Sequence, residues 1–202
     1  MILSSNEIRK YINDTDKSLI QPFAEEQLQG ASYDVRLSGN LAVLKNTGAI
    51  IDPTSDSDIN PYEQITIDGN GFVLCPGCFV LVGLAEKICL PKNVIAHIRP
   101  RTRFTRSGIL ISDQHCNPTY EGILQIGLFN AGANSFLLKK GIKIAQLVFE
   151  ELSSVPEDSK LYMNKEDAAY KNEADFKGSD FTTAKPPKEG QDFYNEIIES
   201  LR

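Results

Sequence analysis

A chain of 202 residues, 41% hydrophobic and 24% charged, is long enough to bury a core of its own and too apolar to remain disordered. Twenty-one Lys and Arg against 27 Asp and Glu leave a net charge of −6, so no overall basic field exists to hold DNA or RNA, and any anionic ligand must be gripped locally. No run approaches the roughly 18 apolar residues of a membrane span, and the opening Met1 to Glu7 lacks the basic and apolar segments of a signal peptide; the expectation is a cytoplasmic protein with reduced cysteines.

Ile8, Tyr11 and Ile12 recur at helical spacing behind a Ser/Asn start, which predicts a short amphipathic helix from Ser5 to about Asn13. From Leu41 to Leu152 short runs rich in Val, Ile, Leu and Phe alternate with Gly, Pro, Asn and Asp clusters. They predict strands at Leu41 to Leu44, Gln64 to Ile67, Phe72 to Val82, Val94 to Ile98, Gly108 to Ser112, Gly122 to Phe129 and Ile144 to Glu150. Many short strands between turn signals predict an all-β antiparallel sandwich or distorted barrel over residues 1–152. Beyond Leu152 the apolar density falls, giving a polar tail over 153–184. Residues 185–202 hold a linker, Lys185 to Gly190, and a terminal amphipathic helix carrying Phe193, Tyr194, Ile197, Ile198 and Leu201. That helix either packs on its own body or a neighbouring subunit, or binds a partner protein.

Two motifs suggest metals at first sight. Cys75-Pro76-Gly77-Cys78 has the spacing of half a zinc site or a redox pair, but no second such pair exists and only two histidines are present, so a turn is expected. The loop from Asp52 to Tyr62 carries Asp52, Asp56 and Asp58 without the Gly and distal Glu of a calcium loop. No protein metal site is expected.

The densest basic cluster of this acidic chain lies between Ile98 and Gly108, where Arg99, Arg101, Arg103 and Arg106 interleave with hydroxyls and no acid compensates them. Guanidinium forks match phosphate oxygens and hydroxyls add short donors, so the block reads as a phosphate clamp rather than a solvated surface helix.

Four blocks in order, Gly30 to Leu37, Arg101-Thr102 to Arg106-Ser107-Gly108, Asn117 to Gly122 running into Leu128-Phe129-Asn130, and Gly141 to Phe149, resemble the dCTP deaminase and trimeric dUTPase superfamily. Tyr162 and Lys165 to Asn172 resemble the segment with which the deaminase branch closes over nucleotide. The resemblance implies a jelly-roll or β-clip barrel, a homotrimer with active sites between subunits, and a deoxynucleoside triphosphate carrying Mg2+ on its phosphates. By position it implies that Arg101, Thr102, Arg106 and Gln146 bind phosphate, and that Tyr162, Tyr170 and Lys171 belong to the nucleotide-closing tail.

The chemistry departs from that pattern. Deamination at cytosine C4 needs a positioned acid/base. The zinc-deaminase signature is absent. The glutamate that the metal-free deaminase resemblance implies falls on Gly127, and the aspartate of the dUTPase resemblance falls on Asn117, which orients water without taking its proton. In the tail, Ala169 and Glu173 stand where a lysine and a glutamine are implied, which predicts weaker triphosphate binding. Three side chains offer a replacement: Asp113 on the stretch Ser112 to His115, expected to face the pocket; Glu121 in the turn; and His115, which titrates near neutrality when unperturbed. Asp113 ranks first. The leading functional expectation is hydrolytic deamination of a deoxycytidine triphosphate. The alternatives are a dUTPase-type diphosphatase and a catalytically silent deoxynucleotide-binding regulator.

Overall fold

The computed structural model describes residues 1–13, 18–48, 50–52 and 61–179. The predicted linker and terminal helix, and most of the acidic loop between Asp52 and Tyr62, lie outside the described residues. The opening helix α1 (Ser5–Asn13) forms where the sequence predicts it. Glu7 Oε2 accepts the Ser4 N–H at 2.8 Å and the Ser4 hydroxyl at 3.0 Å, a capping box that fixes the first turn, and Ile8 is buried beneath it.

The strands are β1 (Ile20–Gln21), β2 (Tyr33–Leu44), β3 (Tyr62–Thr66), β4 (Phe72–Leu74), β5 (Phe79–Cys89), β6 (Val94–Pro100), β7 (Ile109–Ile111), β8 (Gln114–Cys116), β9 (Glu121–Asn130), β10 (Phe136–Leu138) and β11 (Lys143–Glu151). Nine of them make one antiparallel sheet in the order β7-β9-β5-β2-β11-β6-β8, with β1 beside β5 and β3 beside β2; β4 and β10 form a separate pair. Alternation sets the faces. In β6, Val94, Ala96 and Ile98 point into the core while His97 and Arg99 point out; in β11, Leu147 and Phe149 go in. Tyr33, Val35 and Leu37 of β2 meet Val80, Val82 and Leu84 of β5 in the same core.

Barrel closure follows from one connection. β7 and β8 stand at opposite ends of the sheet order, yet only Ser112 and Asp113 separate them in sequence. Such a link spans roughly 11 Å at most, so the sheet must curl until its edges meet there. Ser112 ties the seam to β9: its N–H donates to the Gly127 carbonyl at 2.8 Å and its hydroxyl accepts the Gly127 N–H at 2.8 Å. Asp113 ties it to β6 through an ion pair with Arg99.

Two strand predictions change. The run from Phe72 to Val82 is two strands broken by the Cys75–Cys78 turn, where the Cys78 N–H reaches the Cys75 carbonyl at 3.1 Å and Gly77 takes a φ of +75°. Both cysteines are free and exposed. β2 begins at Tyr33, eight residues before the predicted start at Leu41. Among the described residues no helix is long and apolar enough to cross a membrane.

Candidate active site

The arginine block folds into a single helical turn, α2 (Thr102–Arg106), entered from the end of β6. Arg101, the residue just before it, meets Asp34 of β2. Register places Gln146 of β11 opposite both Asp34 of β2 and Arg99 of β6, so a line of polar side chains crosses three strands. Gln29, Asp34, Arg101, Thr102, Arg103 and Gln146 line a polar cavity of about 330 Å³. Asp34, almost fully buried, pairs with the Arg101 guanidinium, accepts the Gln29 amide at 3.2 Å and lies 3.5 Å from the Lys143 ammonium. The carboxylate holds the Arg101 fork in place, and with the two cations the local charge stays positive. Thr102 and Arg103 are exposed, leaving their donors open to an incoming anion.

A second cavity of about 410 Å³ opens where β8 runs into the turn before β9, and the tail crosses that turn. The turn is held in a strained conformation: Thr119 has φ +65°, unusual for a β-branched residue, with its hydroxyl donating to the Pro118 carbonyl at 2.6 Å and accepting the Met163 N–H at 3.1 Å. The Tyr162 N–H donates to the Pro118 carbonyl at 3.0 Å, which sets the Tyr162 ring 5.5 Å from that of Tyr120. The Tyr162 hydroxyl in turn accepts the Tyr170 N–H at 3.1 Å. Further along, the tail adds a short parallel bridge to the start of β9, where the Ile123 N–H donates to the Glu173 carbonyl at 2.6 Å and the Asn172 N–H to that of Glu121 at 3.0 Å. The segment predicted to close over nucleotide is thus docked along one wall of this cavity.

His115, Asn117, Tyr162 and Tyr170 all line the second cavity, while Arg101, Thr102 and Gln146 line the first. Arg106, exposed at the end of α2, and Lys171, whose ammonium donates to the Lys165 carbonyl, line neither. His115 is exposed and packs its ring 4.9 Å from His97. Asp113 departs from the expectation that it faces the pocket: it is exposed, engaged by Arg99 across the β6–β8 ladder, and lines neither cavity. Glu121 is held by Lys87 at 2.6 Å.

Glu173, which stands where the resemblance implies a glutamine, is 6% exposed and lines the second cavity, a burial that the sequence did not signal. Burial holds its carboxyl above the ordinary range, against the opposing influence of the Lys177 N–H and ammonium. Burial likewise raises the Tyr120 and Tyr162 phenols, and it pushes the Cys116 thiol up to about 12, leaving that cysteine a neutral wall group.

Gly127 is more than a missing side chain. A Cβ there would stand 2.7 and 2.8 Å from two ring carbons of Phe79, so the ring already fills the space a larger residue needs. Gly127→Glu is therefore expected to overpack this spot at a cost of about 1–3 kcal/mol. Adding Phe79→Ala should make room for the new side chain and recover part of that loss, which thermal unfolding of the single and double variants checks.

Comparison with known proteins places this geometry. A family model described as dCTP deaminase-like matches residues 2–152. The dCTP deaminase of Natronomonas pharaonis is 35% identical over 78% of this chain and 84% of its own length, and the dUMP-forming dCTP deaminase of Dictyoglomus thermophilum is 34% identical over 86% and 91%. The solved structure of 2'-deoxycytidine 5'-triphosphate deaminase from Agrobacterium tumefaciens superposes with a TM-score of 0.60 at 21% identity, over 78% of this chain and half of that one, a likeness of fold. The chain belongs to the dCTP deaminase-like family.

Proposed function

We propose that this chain binds deoxycytidine triphosphate and removes its 4-amino group by hydrolysis, a dCTP deaminase-like function in deoxynucleotide metabolism. The observation that carries the reading is the pair of cavities on one family barrel, the first lined by Arg101, Arg103, Thr102 and Gln146 and the second, among the described residues, by tyrosines, amides and one carboxylate. The first has the chemistry of a polyphosphate site. The second has a volume and an aromatic lining suited to a base. Asn117 is assigned to orienting water and His115 to the rim, with Tyr162 and Tyr170 walling the base.

Magnesium enters this reading on the phosphates. Among the described residues no cluster of three His, Cys, Asp or Glu side chains could hold a metal ion, and Asp34 is already committed to Arg101, Gln29 and Lys143. The cation would therefore arrive on phosphate oxygens and neutralise their charge. A homotrimer joining the two cavities across subunits is part of the proposal. Leu110 and Phe129, partners on β7 and β9, are exposed, as are Val73 and Leu137 on β4 and β10, and these apolar pairs suit burial in an assembly.

Purified protein incubated with a panel of deoxynucleoside triphosphates and Mg2+, with ammonia and pyrophosphate measured together, tests the reading. Ammonia from dCTP is the expected product. Pyrophosphate released with it would mean that the phosphate chain is also cut, as the name "dUMP-forming" says of several relatives. Pyrophosphate without ammonia would overturn the proposal.

A further inference from the structure

The barrel leaves one gap in its own chemistry. Hydrolysis at C4 of cytosine needs a group that moves protons, and neither Asn117 nor Gly127 supplies one. Asp113 and Glu121 are engaged outside the cavity, by Arg99 and Lys87. Among the described residues lining the base-sized cavity, Glu173 is the only carboxylate. Its backbone is pinned to β9 by the bridge to Gly122 and the 2.6 Å bond from the Ile123 N–H, so the side chain is delivered from a fixed edge rather than a free tail. Its Oε1 accepts the Lys177 N–H at 3.3 Å.

We propose that Glu173 is the proton-carrying residue of this site, donating to N3 of a bound cytosine and then activating the attacking water. The inference rests on the dCTP reading above. The protonated carboxyl gives its proton to N3, which makes C4 electrophilic. The resulting carboxylate takes a proton from water as the C4–O bond forms. It delivers that proton to the 4-amino nitrogen. As the C4–N bond breaks and ammonia leaves, the carboxyl recovers a proton from the C4 hydroxyl, which becomes the carbonyl of uracil. Substrate plus water is converted to uracil nucleotide plus ammonia, and Glu173 ends as it began.

The cycle starts from the protonated acid, which burial favours. Groups facing the carboxyl are the Lys177 N–H and ammonium, which oppose that effect, and the Tyr120 and Tyr162 phenols, with Cys116 beyond them. Both phenols and the thiol are held neutral by burial, so the carboxyl of Glu173 is the acid of this cavity whose charge changes first as pH rises. The sign is fixed: kcat falls as pH rises through the raised folded-state value of Glu173.

The test compares wild type, Glu173→Gln and Glu173→Asp for ammonia release from dCTP with Mg2+, for dCTP affinity by calorimetry and for folding by thermal unfolding. Expected is a loss in kcat of about 100-fold or more for Glu173→Gln with dCTP bound no more weakly than by wild type and the falling limb of the pH profile gone. Glu173→Asp, which keeps an acid, should retain the limb at a reduced kcat, so a failure of the glutamine variant to fold leaves a second readout. A Glu173→Gln protein with wild-type kcat and pH profile overturns this inference and leaves the dCTP reading standing. A wild type that binds dCTP and releases no ammonia overturns both.

Discussion

Arg101→Ala should lower the affinity for a deoxynucleoside triphosphate about 100-fold, a change of roughly 2.7 kcal/mol that isothermal calorimetry at fixed salt reads directly. The side chain is 17% exposed at the floor of the polar cavity, where a guanidinium is shielded less by water than on an open surface. Asp34 fixes the fork before any ligand arrives, so little ordering has to be done on binding. The same ion pair gives the variant a second effect. Without Arg101 the buried Asp34 carboxylate keeps only Gln29 at 3.2 Å and Lys143 at 3.5 Å, so stability drops as well. Arg101→Lys separates the two: the charge survives beside Asp34 while the planar fork is lost, so folding should be nearly wild type and affinity should fall by less than in the alanine variant. Wild-type affinity in folded Arg101→Ala would remove the phosphate clamp from this cavity.

Local pattern made most of the barrel legible. Alternation in Val94 to Ile98 and Ile144 to Glu150 predicts β6 and β11 because their inward residues are apolar throughout, and the Ser4 and Glu7 pair marks the first helix. The first eight residues of β2 were hidden because Tyr33 to Asn40 contains Asp, Arg, Ser, Gly and Asn, a composition that reads as a turn. Tertiary partners override it: Asp34 is taken up by Arg101 and Arg36 by Glu86, groups about fifty residues or more away in sequence. The arginine block was visible as a dense basic run, but the acids that meet two of its members, Asp34 on Arg101 and Asp113 on Arg99, were not. Nor was the burial of Glu173. Glu173 sits in a polar stretch with no periodicity, and its bridge to Gly122 and the Lys177 contact are made with partners that no local pattern announces. Asp113 misled for the converse reason: adjacency to pocket residues in a strand says nothing about which face a side chain takes, and the seam turns it toward Arg99.

The other large effect is expected from Glu86→Ala, which should cost about 3–5 kcal/mol of folding stability and lower Tm by roughly 10 °C. Glu86 is fully buried on β5, in the stretch between Gly83 and Lys87 where the strand loses register with β9. One oxygen accepts the Arg36 backbone N–H at 2.9 Å and the other the Arg36 Nε at 2.6 Å, so the carboxylate serves a strand donor and a guanidinium together. That contact raises the Arg36 pKa, as an ion pair in a shielded place must. Alanine removes both acceptors, leaves Arg36 largely buried without its counter-charge, and opens a cavity where the fully buried Glu86 side chain stood. The consequence reaches the site, because Arg36 and Asp34 are alternate residues of one strand and share its outward side. Loosening β2 at Arg36 relaxes the backbone that aims Asp34 at Arg101. The variant should therefore bind triphosphate more weakly than wild type, though by less than Arg101→Ala. Replacing the pair together, Arg36→Met with Glu86→Leu, removes the stranded charge, so thermal unfolding should show most of the lost stability regained. Equal instability of the single and double variants would mean that packing volume, rather than the unpaired guanidinium, sets the cost.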